Sequence, residues 1–298
     1  MKISYGRQFI DSTDKKAVLN SLSGELITQG KSVLKFEKKL KNYFSCKYVA
    51  AVSSGTAAMH LVALALGWSK NDLILMSPIT FLSTANIVDQ LQAKLEFVDI
   101  DEHTYNICPN KLEKKIKLLK NKKLKAVVAT DFAGLPCDWK RLKQLSKKYK
   151  FDLINDNCHA IGADIKKNKS YGTDYALASV HSYHPVKNIT TGEGGAILSN
   201  NEKLISKIKK LRSHGVEKRG TKYPWFYDVN QPGFNYRITD FQSALGISQL
   251  KKLKIFLKKR RTIARYYFNF FKNKPYVKVP QKKFISGHAY HLFPLLIN

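Results

Sequence analysis

Short β-prone runs alternate with helix-forming stretches over residues 48–154, and that rhythm admits few folds. The run 48–52 is followed by Ser53-Ser54-Gly55-Thr56 and then by the apolar stretch 57–66, closed by Gly67: strand, tight turn, helix. The unit recurs, with strands at 73–76, 95–100, 124–130 and 151–154 and helices at 81–91, 112–119 and 139–149. Strands separated by whole helices are joined by crossovers rather than hairpins, so the expectation is an α/β fold with a mostly parallel central sheet flanked by helices. Ahead of the first strand, Ser32 reads as the N-cap of a helix in which Val33, Phe36, Leu40, Tyr43 and Phe44 keep helical spacing. Residues 30–215 read as one α/β domain. Beyond it, 239–271 reads as a long helical stretch with a bend, and the chain ends on a strand-like 290–297 with no further element to pair it.

With 298 residues and 44% hydrophobic side chains the chain can bury a full core, which excludes disorder as its main state. Lys and Arg number 52 against 22 Asp and Glu, a formal charge of +30, which invites a nucleic-acid reading. No zinc finger, RNP motif or recognition helix supports it. Lys111, Lys114, Lys115 and Lys117 interleave instead with Leu112, Ile116, Leu118 and Leu119, the pattern of a helix with one solvated face. The lysines read as surface solvation, with attraction of small anions as the alternative. No stretch reaches the roughly 18 apolar residues of a membrane helix and no signal-peptide core is present, so the expectation is a soluble, cytoplasmic protein with neither membrane nor nucleic-acid partner. Cys46, Cys108, Cys137 and Cys158 are scattered without a CxxC pair, which argues for free thiols and against a metal site.

Ligands of α/β sheets collect at the carboxyl ends of strands. Four segments there bear chemistry. Ser53-Ser54-Gly55-Thr56-Ala57 lies between a strand and a helix start, where free N–H groups favour a phosphate, although a plain helix cap reads the same way. Asn155-Asp156-Asn157-Cys158-His159 sets an acid and a histidine just after a strand, where Asp156 can be a ligand group or a turn residue. Ser182-Tyr183-His184-Pro185-Val186-Lys187 precedes the glycine-rich Gly192-Glu193-Gly194-Gly195, and Lys187 alone would read as a surface charge. Gly233-Phe234-Asn235-Tyr236-Arg237 alone reads as a loop. Taken together, a phosphate turn, a carboxylate after a mid-chain strand and a lysine about 30 residues later are the parts that hold pyridoxal 5'-phosphate.

The chain resembles the DegT-type nucleotide-sugar aminotransferases of the aspartate-aminotransferase fold from about residue 3 onward, through SSGTAAMHL, SPITFLSTANI, LINDNCHAIGA, SYHPVKNITTGEGGAILS, RSHG and GFNYRITDFQSALGISQL in that order. The resemblance implies a pyridoxal-phosphate-dependent transferase fold of type I. It implies a large cofactor-binding domain with an N-terminal arm at 1–235, and at 236–298 a long helix with the start of a small C-terminal domain. That small domain is expected to be incomplete, since relatives continue past the position of Asn298. Within the family, DFAG at 131–134, SYHPVKNITTGEGG and HLFPLLI look most like the branch that aminates a UDP-linked 4-keto-6-deoxy-N-acetylhexosamine for pseudaminic acid and surface polysaccharide.

The same resemblance assigns roles. Lys187 is the Schiff-base lysine, Asp156 the partner of the pyridine nitrogen and His159 a neighbour of the ring hydroxyl. Phe81 is the aromatic over the ring. Gly55, Thr56 and Ser182 hold the phosphate, joined by Asn235 of the partner subunit in a homodimer with shared sites. The implied substrates are L-glutamate and a UDP-4-keto sugar. Two departures stand out: Asn155 replaces the usual acidic residue before the key Asp, and Asn157-Cys158 replace a small pair. The alternatives are an aminotransferase for another nucleotide 4-keto or 3-keto sugar, a shortened paralogue without turnover, and a dehydratase with histidine at the lysine position, which Lys187 argues against.

Overall fold

The β-prone runs are almost wholly apolar, as strands covered on both faces must be. In the structure, a computed structural model that describes residues 6–119, 123–165, 167–168, 171–217, 223, 225–279, 281 and 283–297, they form one seven-stranded sheet. Its strands are β1 (Tyr48–Val52), β2 (Leu73–Met76), β3 (Lys94–Phe97), β4 (Leu124–Thr130), β5 (Asp152–Asp156), β6 (Ala178–Ser182) and β7 (Gly195–Ser199), in the order β1-β7-β6-β5-β4-β2-β3. From β3 to β6 every pairing is parallel, while β7 runs antiparallel to both β6 and β1. The α/β architecture with a mostly parallel sheet is therefore as expected, and β6 and β7 are additions to it. Their polar members, Ser179, His181 and Ser182 in β6, hide the apolar run that marks the other strands.

The helices are α1 (Ser12–Leu22), α2 (Lys31–Phe44), α3 (Gly55–Leu66), α4 (Ser83–Gln90), α5 (Pro109–Leu118), α6 (Trp139–Tyr149), α7 (Tyr171–Tyr175), α8 (Glu202–Leu211) and α9 (Asp240–Phe271). One core joins Phe36 and Leu40 of α2, Leu112 of α5, Trp139 and Leu142 of α6 and Leu253 of α9 to one sheet face. The other joins Leu61 and Val62 of α3, Ile87 of α4 and Ile208 of α8 to the opposite face. Each face of the sheet is thus sealed from water, the arrangement a mostly parallel sheet requires.

Three local expectations are corrected. The N-cap of α2 is Gly30, not Ser32. The carboxylate of Asp240, at the start of α9, accepts the N–H groups of Gly30 and Ser32 at 2.7 Å each, replacing a local cap with a distant one. A Cβ at Gly30 would stand 2.9 Å from that carboxylate, so glycine is needed there. Second, α4 begins at Ser83, which leaves Phe81 on the preceding loop. Third, the end of the chain is not unpaired. Two residues of the expected strand, β11 (Leu296–Ile297), pair with β10 (Val277–Lys278). The rest is irregular because Pro294 interrupts it and Tyr290 takes a left-handed φ of 44°, its N–H donating to His288 Nδ1. A small hairpin, β8 (Val216–Glu217) with β9 (Asp228–Val229), precedes the Gly233–Arg237 segment.

Candidate active site

Strand register gathers the chemistry-bearing segments. Thr130 pairs with Asp156, and Ser182 and Val52 both pair with Gly195, so the carboxyl ends of β1, β4, β5 and β6 meet the start of β7 along one edge. The crowding there demands glycine twice. A Cβ on Gly195 would lie 2.4 Å from the Ser54 carbonyl oxygen, and one on Gly55 would lie 2.8 Å from Ser182 Cβ. Helix α3 starts at Gly55 with Ser54 as its cap, Oγ accepting from the Ala57 N–H at 3.0 Å. The N–H groups of Gly55 and Thr56 are then those a helix start leaves for an anion.

This edge opens into a cavity of about 640 Å³. Its walls include Gly55, Thr56, Phe81, Asp156, His159, Ser182 and Lys187, so the structure brings seven of the eight residues singled out above into one space. The eighth, Asn235, does not line it: it is exposed and bridges the backbone of Ser213. Thr80, Phe132, His184, Glu193, His291 and Leu292 also line the cavity and were not among the expected site residues. Phe132 and His291 lie inside strings that served only to recognise a family branch, and neither has a local pattern of its own.

Asp156 is 7% exposed. Its Oδ1 accepts the Cys158 N–H at 3.1 Å, and Thr130 Oγ1 stands 3.4 Å from Oδ2. Thr80 Oγ1, 3.0 Å from Thr130 Oγ1, extends this chain of hydroxyls to the cavity wall. Lys187 follows a turn closed by its N–H on the His184 carbonyl at 2.9 Å. The loop carrying it is braced by Tyr183, whose N–H donates to Gly194 and whose carbonyl accepts from the Thr191 N–H. Burial lowers the Lys187 ammonium from its ordinary pKa, opposed by Cys158 and Asp156, so more of the free amine is available for nucleophilic or basic work.

Burial and the Lys187 charge push His159 down to about 4, against the pull of Asp156. Its Nδ1 is buried with no hydrogen-bond partner among the described residues, as is Nδ1 of His291, whose ring centroid lies 4.6 Å away. Each imidazole thus keeps a buried nitrogen whose hydrogen bond no described residue supplies. A buried carboxylate, a half-buried lysine and a glycine-lined anion seat in one cavity, with an unpartnered imidazole nitrogen beside them, fit pyridoxal phosphate.

The buried histidines carry a pH signature. His159 is held at about 4, and burial holds His181 and His288 at about 3, against 6.5 for a free imidazole. Between pH 6.5 and 4 the unfolded chain binds protons that the fold refuses, so stability falls as pH drops through that window, by about 1.4 kcal/mol per unit for each histidine. Asp131, lifted by burial from 3.8 to about 6, and Asp152, which burial also raises, oppose this over part of the window, while His291, pushed down to about 2 by burial, adds to it. The thermal midpoint should fall steadily from pH 6.5 toward 4. A midpoint that stays flat would show these histidines to be solvated.

Fold and cavity together define an α/β protein with a half-buried lysine and a buried carboxylate lining one cavity at the carboxyl ends of its strands. Residues 8–298 match the DegT/DnrJ/EryC1/StrS aminotransferase family, and the chain belongs to it. It is 41% identical over 295 residues to the UDP-4-amino-4,6-dideoxy-N-acetyl-β-L-altrosamine transaminase of Campylobacter jejuni, covering 99% of this chain and 76% of that relative. Among solved structures it superposes on Helicobacter pylori PseC, an aminotransferase of pseudaminic acid biosynthesis, with a TM-score of 0.90 at 35% identity, over 100% of this chain and 78% of PseC. It also matches NtdA from Bacillus subtilis with bound cofactor PMP, TM-score 0.84 at 30% identity, over 97% of this chain and 65% of NtdA.

Proposed function

We propose that the protein moves an amino group from L-glutamate to the 4-keto carbon of a UDP-linked 4-keto-6-deoxy-N-acetylhexosamine, using pyridoxal phosphate. The observation that carries this reading is the meeting of Lys187, Asp156 and the Gly55 turn in one cavity. The named activities of the Campylobacter and Helicobacter relatives support the sugar. The N–H groups of Gly55 and Thr56 and the Ser182 hydroxyl hold the cofactor phosphate, joined by Asn235 of the partner subunit in a two-fold dimer. Lys187 would hold the cofactor through Nζ, and Phe81 would cover its ring. Asp156 keeps the ring nitrogen protonated, and His159 hydrogen-bonds the ring hydroxyl.

When bound, the cofactor supplies an electron sink for the broken C–H bond and carries the amino group between donor and acceptor. Lys187, freed as an amine, takes the proton from the donor's α-carbon and delivers it to the carbon that must receive it. In the second half-reaction the same amine runs the transfer in reverse. The surplus of +30 draws the anionic nucleotide sugar toward the site. Its four cysteines are free, which suits the reducing cytoplasm in which we place the reaction.

The test is turnover of purified, cofactor-loaded protein with glutamate and a panel of UDP- and dTDP-linked 4-keto and 3-keto sugars, read by product mass. The expected product is the 4-amino-4,6-dideoxy UDP-N-acetylhexosamine. Preference for a dTDP sugar or a 3-keto sugar would overturn the substrate assignment.

A further inference from the structure

Behind β5, on the side away from the cavity, lies a carboxylate that the reaction above does not use. Asp131 directly follows β4 and is 0% exposed. Its Oδ1 accepts the Cys137 N–H at 2.7 Å and the Trp139 indole N–H at 3.0 Å. Its Oδ2 accepts Asn155 Nδ2 at 2.8 Å, Asn157 Nδ2 at 3.0 Å and the Tyr171 hydroxyl at 3.0 Å. None of the five donors is cationic. Burial lifts its carboxyl to about 6 against the pull of these donors, so the fold carries a charge that an apolar side chain would have spared it.

What Asp131 grips is the point. Side chains alternate across a strand, so Asn155 and Asn157 share the face opposite Asp156. Both neighbours of Asp156 are thereby tied to one oxygen, and the Asp131 N–H also donates to the Asp156 carbonyl at 3.1 Å. Asn155 is held at its other end by Ser179 Oγ, 2.6 Å from Oδ1, which fixes its amide orientation. Both asparagines are among the departures noted from the sequence, and here they are donors to Asp131.

We propose that Asp131 is a positioning residue, which through Asn155 and Asn157 fixes the rotation of β5's end and so the aim of the Asp156 carboxylate. The inference rests on the proposed role of Asp156 at the cofactor ring.

The test uses the cofactor-loaded protein in three forms beside wild type. Asp131→Asn removes the acceptor that joins the two amides. Asp131→Asn with Asn155→Asp restores one carboxylate–amide pair with the roles exchanged. Trp139→Phe removes a donor that comes from α6 and meets the other oxygen, Oδ1. Measured are the rate and KM of the glutamate half-reaction, the absorbance spectrum of bound cofactor and the thermal midpoint. Asp131→Asn should slow the half-reaction by at least about tenfold, a barrier rise of about 1.4 kcal/mol, with KM nearly unchanged and an altered spectrum. The exchanged pair should recover most of that rate. Trp139→Phe should lower the thermal midpoint while leaving rate and spectrum alone. Should Asp131→Asn not fold, Asn157→Ala, which cuts one of the two ties, should give the same kinetic and spectral signature in weaker form. A variant that loses thermal stability at unchanged rate and spectrum would overturn the proposal and leave Asp131 as core structure. An inactive wild type would sink the proposed function instead, so the two failures are distinct.

Discussion

Lys187→Ala is expected to fold, to bind cofactor only reversibly and to lose turnover by more than the about 10²–10⁴-fold that a positioned proton carrier contributes. The loss is larger than for a simple acid or base because one amine both holds the cofactor and moves the proton. Methyl cannot do either, and among the described residues no other lysine lines the cavity. Borohydride reduction of the loaded wild type, followed by peptide mapping, should place the adduct on Lys187. An adduct elsewhere, or none in saturated protein, would end the assignment. The same variant probes the shared site. Mixed with Asn235→Ala chains, it should form heterodimers in which one site carries both lesions and the other carries neither, so activity should rise above either parent. Exchange of subunits without such a rise would remove Asn235 from the site.

Asp156→Asn should keep cofactor bound yet lose about 10²–10⁴-fold in the glutamate half-reaction, because an amide does not stabilise a protonated ring nitrogen as a carboxylate does. Asp156 is well placed for such a test. Its Oδ1 accepts the Cys158 N–H, which an asparagine oxygen can still do, and the Thr130 hydroxyl beside Oδ2 can accept from an asparagine Nδ2, so the fold should tolerate the change. Single-turnover absorbance with glutamate measures the loss directly. A near-normal rate would reduce Asp156 to a structural role.

How much of this could be read from the chain depends on how locally each feature is written. The strand–turn–helix at 48–66 declares itself, because β-prone residues, a serine cap and an apolar helix follow one another without a break. The lysine loop does so through its glycines and proline. The Gly30 cap does not, because its carboxylate belongs to Asp240, far along the chain. Helix α1 is hidden for the same reason: its one buried residue is Asp14, which pairs with Lys252 of α9 at 2.6 Å rather than packing apolar surface. His291 reaches the cavity because the Ala289 and Leu292 N–H groups bond to the carbonyls of Gly134 and Ala133, contacts that no periodicity foretells. The asparagines at 155 and 157 were visible as oddities, but their meaning waits on Asp131, which the sheet brings alongside them.

The placement of β1 bears on how the protein acquires its site. β1 comes first along the chain among the sheet strands, yet its ladder is with β7, the last of them. The anion seat at Gly55 is therefore closed by the longest loop in the sheet, one that spans about half of the chain. Such a closure is entropically costly and slow, because contacts so far apart along the chain must be brought together before they reward the cost. It is also the step whose reversal opens the cofactor's phosphate seat without unravelling the central parallel strands. A phosphate bound across Gly55 and Ser182 would act as a clasp on that seam, so occupancy would slow the escape of β1 and make the loaded protein longer-lived than the empty one.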